Sequence, residues 1–327
     1  MISRTKIEKF NILGRFRDLD KTEKIVFETK NGIIELTLIK NKKGVAVFCL
    51  PTHHYCNLGC KFCHLTEEGD SSKEMRMISA DDLYKTLTGA IKLLKIKNKR
   101  ILLSFMGVGE PFLGVNLIFE VYNKLKYEYN YKGVALSTMM FSTKPVDYII
   151  EKVKKTRTPL KIHFSLHSPI DSNRKSIIPN ANASVEDCLK ALVRYREFIS
   201  GDRKILKNLS YFHSSSNSPI EIHYTVIEKV NDGEEELNKM IEYGKKYRIP
   251  IKLLKFNPTK LLKRSKKEKH WLERLSKEYN ADVCLYCPPG PNIGSSCGQF
   301  TKHYYLGSNK GRELQEFEKW KNKYEVT

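Results

Sequence analysis

Cys56-Asn57-Leu58-Gly59-Cys60-Lys61-Phe62-Cys63 is the stretch on which the reading of this 327-residue chain turns. Three cysteines in a C-x3-C-x2-C frame occupy a short loop containing a glycine. Such spacing lets three thiolates converge on one face of a metal centre. A fourth would close a cubane or a tetrahedral zinc site; three leave one position open, and an open position is where chemistry happens. The alternative is structural zinc with His53, His54 or His64 as fourth ligand. Zinc sites usually pair a C-x2-4-C with a distant second pair, which this loop does not do.

A short apolar run, Val45–Leu50, precedes the loop and reads as a strand. Further strands are expected at Ile101–Met106, Gly133–Thr138, Leu160–Leu166, Ile220–Ile227 and Ile251–Phe256. Helical patterns lie between them, near Ser79–Leu94, Asn116–Tyr129, Pro145–Lys155, Ser184–Ile199 and Gly233–Tyr247. This alternation predicts an α/β fold with a parallel sheet and right-handed crossovers. About six units predict a partial (β/α)6 barrel rather than a full eight-unit one. In such barrels the functional groups collect at the C-terminal ends of the strands. Those ends carry the cysteine loop, Gly107-Val108-Gly109-Glu110-Pro111, Ser137-Thr138, Ser165-Leu166-His167 and Asn257-Pro258. Polar residues and glycines thus recur at one end of nearly every strand.

An iron–sulfur cluster on Cys56, Cys60 and Cys63 would keep one iron without a protein ligand. That iron could take a small chelating cofactor through an amine and a carboxylate. Gly109 would let backbone approach such a ligand, and Glu110 would accept from its ammonium group. Taken alone, Gly109-Glu110-Pro111 is a plain turn with a solvated glutamate.

Upstream, Lys24–Phe27 and Ile33–Ile39 read as a hairpin around Asn31-Gly32, with Glu35 inside its second strand. Residues 1–44 form a short extension with this hairpin, 45–303 the barrel and 304–327 a C-terminal helix. Residues 201–218 read as a polar, basic surface loop, followed later by a basic helix over Lys263–Tyr279 and a charged helix near Gly311–Tyr324. Lys and Arg exceed Asp and Glu by 58 − 37 = 21, a surplus suited to a polyanion such as nucleic acid. A Lys-rich background composition is the bland explanation. No run approaches a membrane span, and Met1–Phe10 lacks the apolar core of a secretory signal. Eight cysteines in such a chain suit a reducing compartment, the cytoplasm, and metal or redox chemistry.

The loop Cys56–Cys63 resembles the radical S-adenosylmethionine signature. Five segments, in order, resemble the RlmN/Cfr adenosine methyltransferases: Cys49 with Cys56–Cys63, Ser104–Pro111, Phe164–Pro169, Lys255–Pro258 and Cys297–Phe300. Val230-Asn231-Asp232 is a weaker sixth match. The resemblance implies a [4Fe–4S] cluster on Cys56, Cys60 and Cys63. It implies that Gly109, Glu110, Ser137, Ser165, Leu166, His167 and Asn257 bind S-adenosylmethionine. It implies that Cys297 is itself methylated, that Cys49 resolves the Cys297–base adduct to leave a Cys49–Cys297 disulfide, and that Glu35 is a proton acceptor. The chemistry explains the two thiols: an sp2 carbon of adenine is too weak a nucleophile for direct transfer from a sulfonium, so the methyl group is carried on sulfur and activated there. The family also implies an RNA partner, rRNA or tRNA, and an electron donor such as flavodoxin or ferredoxin.

Several positions depart from the pattern. Fewer than about 45 residues precede the first barrel strand, so the family's helical N-terminal domain is expected to be absent. His64-Leu65-Thr66-Glu67-Glu68-Gly69 stands where small residues and a glycine are usual, and Tyr286 where an arginine is common. Cys284 and Cys287 form an unexpected C-x2-C, and Cys188 reads as core. These departures fall on substrate recognition. The leading expectation is methylation of an adenosine at C2 or C8 in rRNA or tRNA. The same chemistry on a nucleotide, another small molecule or a peptide is the alternative, and a zinc-bearing RNA-binding protein without catalysis is a third reading.

Overall fold

β-Branched runs pair with their chain neighbours wherever the alternation above demands it. The structure, a computed structural model, describes residues 11–40, 44–66, 74–96, 100–212, 217–295, 301–302, 323 and 325–326. The chain forms two compact units, each made of discontinuous segments.

The first unit comprises Met1–Asn57, Ser72–Tyr131 and Pro288–Thr327. It holds strands β1 (Asn11–Arg17), β2 (Glu23–Thr29), β3 (Gly32–Lys40), β4 (Val45–Cys49) and β5 (Arg100–Phe105), with helices α1 (Ala80–Leu93) and α2 (Val115–Leu125). β1, β2, β3 and β4 pair antiparallel in sequence order, and β4 pairs parallel with β5. The expected hairpin is β2–β3, turning over Lys30 and Asn31, with Gly32 at φ 136°. β1 is a further strand of the extension, beyond the expected hairpin. Its register slips between Ile12 and Gly14, and Phe16 is buried with Val26, Ile33 and Ile293. α1 starts where Ser79 predicts it, the Ser79 hydroxyl accepting from Asp82 N at 3.0 Å.

The second unit comprises Leu58–Ser71 and Lys132–Cys287. Its strands β6 (Tyr131–Thr138), β7 (Leu160–Ser165), β8 (Ile220–Tyr224), β9 (Ile251–Leu254) and β10 (Val283–Tyr286) are parallel, each pairing with the next. Helices α3 (Lys144–Thr156), α4 (Asp171–Ile177), α5 (Val185–Ser200), α6 (Arg203–Leu209), α7 (Glu234–Tyr247) and α8 (Glu268–Glu278) lie between them in sequence. From β4 to α8 the order is the six β/α units of a partial barrel, and β10 adds one more parallel strand.

Two expectations are corrected here. The basic insertion is not all loop: Asp202 caps α6 through Ile205 N at 3.1 Å, and Ile205 and Leu209 are buried. The two apolar positions, four apart, give α6 a face to bury among its lysines. The basic helix starts later than Lys263: α8 begins at Glu268 and is anchored by Trp271 and Leu275, with Trp271 stacked on Tyr224 at 5.0 Å. Burying two such side chains contributes about 1.5–3 kcal/mol each, which outweighs the weak helix preference of a charged surface. The expected helix near 311–324 lies outside the described residues.

Candidate active site

In the first unit the ends of β4 and β5 lie side by side. Gly107 N donates to Leu50 O at 2.9 Å, and Thr52 N and His53 N donate to Val108 O at 2.9 and 3.2 Å. Gly109 takes φ 109°, and a Cβ there would collide with the His53 ring and the Thr52 hydroxyl. Only glycine holds that position without strain. Glu110 is buried, and its Oε1 accepts from Phe112 N at 2.9 Å, capping the one-turn 3-10 segment Pro111–Leu113. His53 is pushed down to about 4 by burial and by neighbouring His54. His54 Nδ1 donates to Ile33 O at 3.0 Å, which leaves Nε2 a buried acceptor with no hydrogen-bond partner among the described residues.

β3 and β4 bring Glu35 and Cys49 to one face. Thr37 pairs with Cys49, and Glu35 is two residues earlier on β3, so the side chains of all three share that face. Glu35 is buried and ion-paired with Lys24 at 2.8 Å.

Cys56 ends the first unit's share of the cysteine loop; Cys60 and Cys63 belong to the second unit. There the loop is wound into tight turns: Cys63 N donates to Cys60 O at 3.0 Å, Thr66 Oγ1 to Cys60 O at 2.7 Å and Lys61 N to Ile177 O at 3.0 Å. Leu58, Cys60 and Phe62 pack on Met139, Ile177, Ile178 and Ala181. Cys56, Cys60 and Cys63 are all half-buried. Cys188, by contrast, is fully buried, and burial raises its thiol to about 12. Three accessible thiols on one loop suit a cluster that needs thiolates; the buried one suits packing.

Ser137, Ser165, Leu166 and His167 stand at the C-terminal ends of β6 and β7. Ser137 Oγ lies 3.1 Å from His163 Nδ1. His167 takes a left-handed φ of 55° and its ring sits 4.3 Å from that of Phe62 in the cysteine loop. Its Nδ1 accepts from Thr225 N at 3.3 Å and Thr225 Oγ1 at 3.1 Å. That assigns the proton to Nε2. Burial, then His223 and the Arg174 guanidinium beside it, hold His167 at about 3, so it is a neutral donor. Asn257 follows β9 and is half-buried.

Two residues that hold this turn are not candidates from the sequence. Asn231 is fully buried, and its Nδ2 donates to His167 O at 2.6 Å and Thr225 O at 2.8 Å. Arg174, also buried, donates from Nε to Leu166 O at 3.2 Å and from Nη2 to Met139 O. Asn231 carries the weak sixth match, so a signal for it existed; Arg174, in a short polar helix, has none. Cys297 lies outside the described residues.

Beneath the strand ends, His163, Glu221 and His223 place ligand-type atoms within 4.8 Å of one another. This is not a metal site: Lys252 and Lys161 bind Glu221 at 2.6 and 3.0 Å, and two ammonium groups satisfy the carboxylate and repel a cation. Burial alone would raise Glu221, but Lys252 and Lys161 overcome it and hold the carboxyl well below its usual range.

No protein-family profile matches the chain. A probable dual-specificity RNA methyltransferase RlmN from Clostridium novyi (strain NT) is 26% identical over 301 residues, covering 90% of this chain and 80% of that protein. The protein of the same description from Clostridioides difficile (strain 630) is 24% identical over 317 residues, covering 92% and 84%. The crystal structure of a radical SAM methyltransferase from Sphaerobacter thermophilus matches with a TM-score of 0.71 at 20% identity, over 89% of this chain and 80% of that one. That likeness establishes the fold, an α/β partial barrel with a small N-terminal β extension. Relatives along nine-tenths of the sequence carry one description and the fold is shared with a radical SAM methyltransferase; both likenesses support the RlmN/Cfr-like family of the radical S-adenosylmethionine superfamily.

Proposed function

We propose that this chain methylates a ring carbon of adenosine, C2 or C8, in rRNA or tRNA, through a methyl group carried on Cys297. Residues 45–303 form the catalytic part, and 1–44 and 304–327 flank it. The observation that carries the reading is the three-thiol loop after β4 together with cofactor-type residues at the C-terminal ends of β5, β6 and β7. Cys56, Cys60 and Cys63 would hold a [4Fe–4S] cluster, and Gly109, Glu110, Ser137, Ser165, Leu166, His167 and Asn257 would hold S-adenosylmethionine. Bound together, these groups supply one-electron chemistry able to activate an unreactive C–H bond. The chain's own part is placement. The Gly109 turn admits close backbone approach, Glu110 keeps a buried carboxylate for an ammonium group, and His167 presents an N–H fixed by Thr225 and Asn231. Cys49 would resolve the product, with an external donor of flavodoxin or ferredoxin type supplying electrons in the cytoplasm.

RNA is the polyanion that best suits the net charge of +21. Lys260, Lys263, Arg264, Lys266, Lys267 and Lys269, between β9 and the first turn of α8, are all exposed. They would contact phosphates. No helix among the described residues is long and apolar enough to cross a membrane.

Nucleoside mass spectrometry of total RNA from cells with and without the gene tests the substrate. Loss of a methyladenosine in the deletion strain, restored by the wild-type chain and not by Cys297→Ala or Cys60→Ala, is the expected result. An unchanged nucleoside profile points instead to a nucleotide, another small molecule or a peptide. Anaerobic reconstitution tests the metal: about four irons per chain are expected, whereas zinc would sink the enzyme reading, with His54 Nε2 the ligand to test. The double substitution Lys263→Glu/Lys266→Glu should weaken RNA binding and lower the slope of log affinity against log salt by about 1.5–2.

A further inference from the structure

In the first unit, Lys24 on β2 pairs with Thr37 on β3, Thr37 with Cys49 on β4, and Cys49 with Ser104 on β5. Directly paired residues present their side chains to the same face. Lys24, Thr37, Cys49 and Ser104 therefore form one row across four strands, and Glu35 lies one pleat along on that face. Lys24 and Glu35 are buried, with side chains 1% and 6% exposed, and bonded at 2.8 Å.

Neither residue spends its capacity on the other alone. Lys24 Nζ also donates to Gly294 O at 2.6 Å. Glu35 Oε1 also accepts from Thr301 Oγ1 at 2.5 Å and from Thr301 N. Gly294 and Thr301 bracket Cys297 in sequence. The approach to this segment is tied to the same extension. Gly290 N donates to Asp20 Oδ2 at 2.8 Å, Asn292 N to Asp18 Oδ2 at 2.7 Å, and Ile293 packs on Phe16, Val26 and Ile33.

We propose that Lys24 and Glu35 are positioning residues for the chemistry at Cys297, anchoring the two ends of its segment to the sheet face that bears Cys49. This rests on the reading of Cys297 as methyl carrier. The polarity of the contacts is directional. The ammonium meets a carbonyl acceptor at Gly294, and the carboxylate meets donors at Thr301, so the pair cannot be reversed without facing like with like. A sheet-stabilising ion pair alone would tolerate reversal. A proton acceptor alone would not need Lys24.

Hydrogen exchange of the whole chain, followed by mass spectrometry, tests the anchoring without any cofactor. Lys24→Met and Glu35→Gln should each speed exchange across residues 290–302 by about tenfold or more, with the second unit unchanged. The reversed pair Lys24→Glu/Glu35→Lys should stay fast, and Lys24→Arg should restore at least half of the protection. The apolar pair Lys24→Met/Glu35→Leu removes both buried charges, keeps the protein folded and should also exchange fast. In protein isolated from cells, S-methylation of Cys297 should fall about tenfold in Lys24→Met. Unchanged exchange in Lys24→Met, or protection restored by the reversed pair, overturns the proposal. So does an active Lys24→Met beside an inactive Glu35→Gln with normal exchange, which would make Glu35 the proton acceptor. Full turnover by Cys297→Ala would defeat the methyl-carrier reading instead, and would leave the exchange result standing.

Discussion

Lys24–Glu35 and Lys161–Glu221–Lys252 are both ionic groups buried in β-sheet, but they complete their hydrogen bonds in different places. Glu221 is satisfied inside its own sheet: Lys161 comes from β7, Lys252 from β9, and His223, from β8 itself, lies 3.1 Å from the carboxylate. His163 stacks on His223 at 4.3 Å and reaches Ser137. Lys24 and Glu35 instead turn part of their capacity outward, to Gly294 and Thr301 some 270 residues further along the chain. A closed cluster ties strands to strands and is structural. An open pair holds something else, and its effect should appear in what it holds.

The largest test of that contrast is pH. His163, His167 and His223 are all held neutral by burial, His167 at about 3 and His223 at about 4. Their folded values lie below the unfolded value of about 6.5, so the unfolded chain takes up protons first as pH falls. Their contribution to stability is complete above about pH 6.5 and is lost as pH falls, through about 4 for His223 and about 3 for His167. Three such groups give a slope of about 4 kcal/mol per pH unit in that window, which denaturant titrations at pH 7, 6 and 5 would reveal. A flat profile would mean that the cluster is hydrated. Glu221→Gln is next: it leaves two buried ammonium groups without a carboxylate and should cost about 3–5 kcal/mol in chemical unfolding. A loss under 1 kcal/mol would erase the distinction between the two regions. The smallest effect on stability should come from Lys24→Met/Glu35→Leu, within about 1 kcal/mol of wild type because both charges leave together; a loss matching that of Glu221→Gln would show that this pair, too, is chiefly structural.

Much of the fold is legible because β4 to β9 are short, largely apolar runs separated by amphipathic helices, and both periods survive in the sequence. β1 is not, because Asn11–Arg17 mixes two arginines with a glycine at a register slip, and its pattern emerges only when β2 and the Ile293 segment cover it. α6 hides among lysines for a similar reason. At the candidate site, the strand ends stand out as clusters of glycine, serine and histidine after apolar runs. Lys24 and Arg174 do not, because each acts through partners brought together only by folding, and Asn231 is marked by the weak sixth match alone. Glu35 is visible as a strand carboxylate, but its ties to Lys24 and Thr301 require the register of β2 and β3 and the return of a distant segment.

The two-residue turn at Lys30 and Asn31 has a consequence for how this protein tolerates change in length. One residue inserted there would carry Glu35 and Thr37 to the opposite surface of the sheet, while two would return them to the original side. The hairpin is thus a phase setting. A turn with no chemistry of its own is constrained by parity, and a survey of insertions should find even lengths accepted where odd ones fail.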